Sequence, residues 1–94
     1  MFRQVRIHPL FDVRLRVAFP DPLERDRFVV AYLKLLLDEF ADNFDDLPTT
    51  GRGPEWRRTY GVAEDFGVLF VVQARAVAAD VIELRSIATA PLPD

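Results

Sequence analysis

Cysteine is absent from this chain, which removes disulfide scaffolds, thiolate metal sites and cysteine nucleophiles from consideration and is compatible with a reducing compartment. Histidine is nearly absent. His8 is the single imidazole, so a histidine metal centre or a serine triad would have at most one ring, and a lone histidine before proline reads as a turn or strand-end residue. Long apolar runs are missing too. No stretch approaches the length of a membrane span, and the opening Met1-Phe2-Arg3-Gln4-Val5-Arg6 lacks the uninterrupted apolar core of a signal peptide. The expectation is a cytoplasmic chain with no membrane partner. Gly51-Arg52-Gly53 lacks the lysine and helix entry of a phosphate loop. Asp42, Asp45 and Asp46 lack the ligand spacing of a calcium hand. No catalytic residue, metal site or cofactor is assigned.

What is present organises itself into one domain, residues 1–94, long enough to bury most of a single core without metals or disulfides. Residues 21–44 read as a capped helix. Asp21 is placed to accept from first-turn amides, Pro22 suits the first helical position, and Glu24 gives a capping-box spacing. From Val29 onward, Leu33, Leu36, Phe40 and Phe44 fall on one face. Phe28, Tyr32 and Leu35 form a flank, and Leu37 widens the stripe. So wide a stripe either lies in a groove of its own domain or leaves one flank as a dimer or partner surface.

Charge is distributed unevenly over a net −3. Six arginines precede residue 28, whereas Asp38, Glu39, Asp42, Asp45 and Asp46 cluster where they oppose the helix dipole. Apart from Lys34, every basic residue is arginine, the side chain suited to bidentate anion contacts.

Gln4 to His8 alternates as a first strand that Pro9 interrupts. Residues 10–19 admit two readings. Val13, Leu15, Val17 and Phe19 alternate with Arg14 and Arg16 as in a half-exposed strand, while Phe11, Leu15 and Ala18 suit a short helix; periodicity favours the strand. Residues 47–54, with two glycines and two prolines, form a turn-rich return. Three strands follow, Glu55 to Val62, Phe66 to Ala76 and Asp80 to Ala88, joined by connections short enough for an antiparallel meander.

The fold class is thus α+β, one long helix, with a short helix or strand before it, packed on an antiparallel sheet made of the N-terminal strand and the C-terminal three-stranded meander. Alternation assigns Trp56, Tyr60, Val62, Val68, Phe70, Val72, Ile82 and Leu84 to the helix-facing side. The other face then carries Arg57, Thr59, Gln73, Arg75, Glu83 and Arg85 around Leu69 and Val71. A basic face with an apolar centre suits an anionic strand, an acidic peptide or a partner helix. Cross-strand ion pairs alone would make it an ordinary solvated surface.

The order of strand, helical region, long helix and three-stranded meander resembles the RelE/ParE superfamily, the toxin halves of bacterial toxin-antitoxin pairs. Val5-Arg6-Ile7-His8-Pro9-Leu10-Phe11-Asp12 is similar to that family's opening strand and short helix, and Trp56-Arg57-Arg58 to its aromatic-basic second strand. Phe66-Gly67-Val68-Leu69-Phe70-Val71-Val72 and Val81-Ile82-Glu83-Leu84-Arg85 are similar to its third and fourth. The resemblance favours a helix over residues 10–19. Ribonuclease members carry an arginine where Gly67 stands, and histidine, arginine or tyrosine where Ala88 and Thr89 stand. Messenger-RNA cleavage needs a group to activate the 2′-hydroxyl and cations for the phosphate, so the resemblance implies a non-catalytic, toxin-like protein-binding module.

Arg57, Arg58, Arg75, Arg85, Leu69 and Val71 are its candidate binding residues. The expected partner is an antitoxin or another acidic protein, with a homodimer also considered. The alternatives are a ribosome-dependent mRNA endoribonuclease using Arg57, Arg58 and Arg85 on RNA, and a small dimeric accessory or phage protein of unrelated function.

Overall fold

The computed structural model describes residues 3–93; Met1 and Phe2 of the opening stretch lie outside it. Strand β1 (Gln4–Ile7) leads into helix α1 (Pro9–Ala18). His8 caps that helix, its Nδ1 accepting from the Leu10 amide at 3.1 Å. Residues 10–18 are therefore helical, and the strand periodicity was misleading. Pro9 occupies the first helical turn, where its missing N–H costs nothing, and the helix buries only Phe11 and Leu15. Val13 and Val17 project into solvent.

The long helix consists of α2 (Pro22–Phe28), a π-helical stretch (Val29–Leu33) and α3 (Lys34–Asn43), followed by a 3₁₀ turn at Phe44–Asp46. Asp21 caps it as expected, Oδ1 accepting from the Leu23 amide at 3.0 Å. The π stretch alters the expected face. At about 100° per residue, an unbroken α-helix would set Phe28 and Leu36 about 80° apart. One residue absorbed in the π turn brings them to within about 20°. Phe28 accordingly joins Leu36, Phe40 and Phe44 in the core instead of lying on a flank.

Strands β2 (Trp56–Ala63), β3 (Val68–Ala78) and β4 (Val81–Pro91) form the expected meander. The sheet order is β1-β4-β3-β2. β1 lies at one edge, parallel to β4, so the sheet is mixed where an antiparallel one was expected; the helices supply the crossover that a parallel neighbour requires. Gly67 is no strand residue. It ends the 3₁₀ turn Glu64–Phe66 in the left-handed region, at φ 68°. The core lies between the sheet and the helices. Its aromatic end stacks Phe28 on Phe19 at 4.4 Å and on Tyr32 at 5.1 Å, with Phe66 and Phe70 edge-on, pairs that contribute about 0.5–1.5 kcal/mol each beyond area burial.

The β2 faces are the reverse of those expected. Arg57, Thr59, Gly61 and Ala63 oppose Ala74, Val72, Phe70 and Val68 on the helix side, whereas Trp56, Arg58, Tyr60 and Val62 oppose Arg75, Gln73, Val71 and Leu69 on the open side. Hydrophobicity suggested the opposite because the aromatics are the larger residues. The deciding constraint is Phe70, whose ring lies over Gly61 so closely that a Cβ there would sit 2.2 Å from Cζ. β4 contains a bulge as well. Gln73 pairs with Ser86 and Ala74 with Leu84, leaving Arg85 as the extra residue, so Leu84 and Ile87 both reach the core although they are three apart.

Candidate functional site: an arginine-ringed tryptophan on the open sheet face

Trp56 is the focus of the open face. It is only 8% exposed, yet it stands outside the helix-side core. Its cover is cationic. The Arg52 guanidinium lies 3.8 Å from the ring centroid, and those of Arg75 and Arg85 each lie 5.6 Å away, within the reach of cation–π attraction. Each arginine arrives for a local reason. Gly51 and Gly53, with φ of 88° and 125°, shape the loop that places Arg52 over the ring, and the Trp56 amide donates to the Gly53 carbonyl at 3.1 Å. Arg75 stands directly opposite Trp56 in the β2–β3 register. Arg85 is the bulge residue of β4.

A cleft of about 400 Å³ opens beside this cluster, lined by Leu10 and Arg14 of α1 together with Arg52, Trp56, Gln73 and Arg85. Among the described residues no carboxylate lines it. Glu83 is the nearest acid in the sequence of β4, and its Oε1 accepts from Arg85 Nη1 at a long 3.5 Å. The buried Nε donors of Arg85 and Arg58 find no acceptor among the described residues. Buried guanidinium donors are usually satisfied, so these two are exceptions. Arg58 lies over Tyr60, 5.4 Å from its centroid. Tyr60, Val62, Leu69 and Val71 extend the face as an apolar surface.

Arg75, Arg85, Leu69 and Val71 share the open face, as expected, and Arg58 joins them through the reversal of β2. Arg57 does not. Its side chain turns to the helix side and donates to the carbonyls of Pro54, Asp45 and Leu47, each at 2.9 Å, and lies 5.6 Å over Phe44. It fastens the loop between α3 and β2. Arg52, Arg14 and Trp56 were missed. The pattern Gly51-Arg52-Gly53 was the available signal for the first; for Arg14 no local signal exists, since only the docking of α1 against β4 brings it to the cleft.

Among the described residues, no group of His, Cys, Asp or Glu could hold a metal ion, and no helix is long and apolar enough to cross a membrane. Comparison of the chain with family models, curated proteins and solved structures finds no match.

Proposed function

We propose that this chain is a toxin-like protein-binding module that takes an acidic segment of an antitoxin-like partner across its open sheet face, with no chemical step of its own. The observation that carries the reading is the carboxylate-free cleft that Arg14, Arg52 and Arg85 line beside the Trp56 ring, over which Arg75 also lies. Planar guanidiniums suit bidentate capture of carboxylates, and the apolar stretch of Tyr60, Val62, Leu69 and Val71 supplies the anchor zone that protein partners favour. The element order is in keeping with the RelE/ParE layout and supports the toxin-like part of the reading. Occlusion of Trp56 by Arg52 favours carboxylates over nucleobases, which would need that ring face for stacking.

The arginine and aromatic content of the same face keeps a second reading, a ribosome-dependent endoribonuclease, as the competing outcome. Its cation set is reduced to Arg58 and Arg85, because Arg57 is engaged by backbone carbonyls. The test titrates the protein with a polyglutamate peptide and with a single-stranded oligoribonucleotide. Trp56, the single tryptophan, serves as the fluorescent reporter. The peptide is expected to bind in a salt-dependent manner and to lose at least about tenfold in affinity on charge reversal of Arg75 and Arg85. Peptide binding that is absent or indifferent to both reversals overturns the proposal. Codon-specific cleavage of ribosome-bound RNA, abolished by Arg85→Ala, would establish the ribonuclease reading.

A further inference from the structure

The bulge in β4 has a second effect, on the open face. Consecutive strand residues ordinarily point to opposite sides of a sheet. Because Arg85 is the extra residue between Leu84 and Ser86, Arg85 and Ser86 instead both line the cleft beside Trp56. Gln73, the register partner of Ser86 on β3, lines it too. Arg14 enters from α1, and Arg52 from the glycine-flanked loop. Five side chains that carry hydrogen-bond donors thus converge from four elements on one space of about 400 Å³.

The cations among them are largely uncommitted. Among the described residues Arg14 and Arg52 form no ion pair, and Arg85 has only Glu83, at 3.5 Å. Arg52 keeps its hydrogen-bonding capacity although it covers Trp56. At 3.8 Å from the ring centroid the guanidinium is too close to stand on end, so it lies flat on the ring. A flat guanidinium directs its N–H donors outward around the rim.

On the basis of the protein-binding reading of this face, we propose that the cleft holds the phosphate of a phosphoserine or phosphothreonine in the partner's acidic segment. Charge and shape both favour phosphate over a carboxylate. A phosphorylated side chain carries about −1.5 to −2 at neutral pH, against the single charge of a carboxylate, and the cleft's three guanidiniums meet only one distant acid. A carboxylate presents two oxygens in one plane. Phosphate oxygens spread tetrahedrally and accept from several directions at once, as a helix, a loop and two strands supply here. The volume is near the lower end for ligand clefts, so it takes a side chain rather than a folded surface. The Trp56 face that would stack a phosphotyrosine or a nucleobase is occupied by Arg52. Arg75 lies over the ring but does not line the cleft, which leaves it for the carboxylates of the same segment.

The test titrates the full chain with three oligoglutamate peptides that differ only at a central serine, phosphoserine or glutamate, read by Trp56 fluorescence and by calorimetry. The phosphoserine peptide is expected to bind at least about tenfold more tightly than either of the others. Arg14 is exposed on α1, so Arg14→Gln should keep the parent's circular dichroism and thermal midpoint while reducing the preference for phosphate to about twofold. Arg52→Gln should reduce it likewise. Equal affinity for the phosphoserine and glutamate peptides overturns the inference and leaves the acidic-segment reading standing, whereas absence of binding by all three overturns both. A phosphate preference that survives both arginine variants overturns the assignment of the cleft. Tighter binding by a 5′-phosphorylated oligoribonucleotide, or by inorganic phosphate alone, overturns the phosphorylated protein segment as the occupant.

Discussion

Replacing Gly61 by alanine puts a methyl group 2.2 Å from Phe70 Cζ and under 3 Å from both Cε atoms, where carbon atoms ordinarily sit about 3.5–4.0 Å apart. The ring has little room to yield. Phe70 is buried, with Phe28 edge-on at 5.3 Å and Tyr32 at 5.5 Å. Overpacking of this kind costs about 1–3 kcal/mol, and the loss of unfolded-state freedom on Gly→Ala returns about 0.4–1 kcal/mol. A net destabilisation of about 1–2 kcal/mol is expected. With a urea m-value of about 1 kcal/mol/M, the midpoint should fall by about 1–2 M at unchanged slope. Trp56 emission is a suitable signal because that ring is sheltered only while the arginine cluster and the sheet are intact. The control is Phe70→Leu, which removes the obstructing ring tip. In that background Gly61→Ala should cost less than about 0.5 kcal/mol, so the two substitutions are strongly coupled. Gly61→Ala that is neutral or stabilising beside the native Phe70 would refute the reasoning, since an unobstructed strand glycine normally gains from a side chain.

Phe40, fully buried on the inner face of α3, should cost about 3–5 kcal/mol on truncation to alanine; a change below about 1 kcal/mol in chemical denaturation would remove it from the core. Arg57→Ala should destabilise by about 2 kcal/mol through loss of its carbonyl bonds and its packing on Phe44. The same variant should leave polyglutamate affinity within about twofold of the parent, because Arg57 stands off the open face. Arg52→Ala should increase acrylamide quenching of Trp56 while moving the urea midpoint by less than about 1 M, since a partly exposed cation–π pair is worth about 0.5–1 kcal/mol.

The helix start was legible because capping is local: Asp21, Pro22 and the neighbouring amides interact within one turn. The meander was legible for a related reason, short connections between β-rich segments. Residues 10–18 were left open between strand and helix, with periodicity leaning to the strand because Val13 and Val17 are exposed residues that imitate one. What decides them is His8 at the cap and Pro9 in the first turn, signals the alternation count ignores. The β2 inversion has a deeper cause. Which face a strand presents is settled by a tertiary clash, Phe70 above Gly61, and no periodicity in β2 records it. The candidate site was therefore half readable. Arg75 and Arg85 could be placed from their own strands, whereas Arg14, Arg52 and Trp56 meet through the docking of α1, a glycine-flanked loop and the β2 register.

The π-helical stretch at Val29–Leu33 has a consequence for how the chain tolerates changes in length. A single-residue deletion in an α-helix swings everything beyond it by about 100°, which at Asp38 would turn Phe40 and Phe44 out of the core. Between Val29 and Leu33 the helix already holds one residue of slack. Deleting the exposed Ala31 would convert the π turn to an ordinary one, and Phe28 and Leu36 would keep their shared direction. The middle of the long helix is thus a place where the coding sequence can lose a codon and keep its core, flanked on both sides by segments where it cannot.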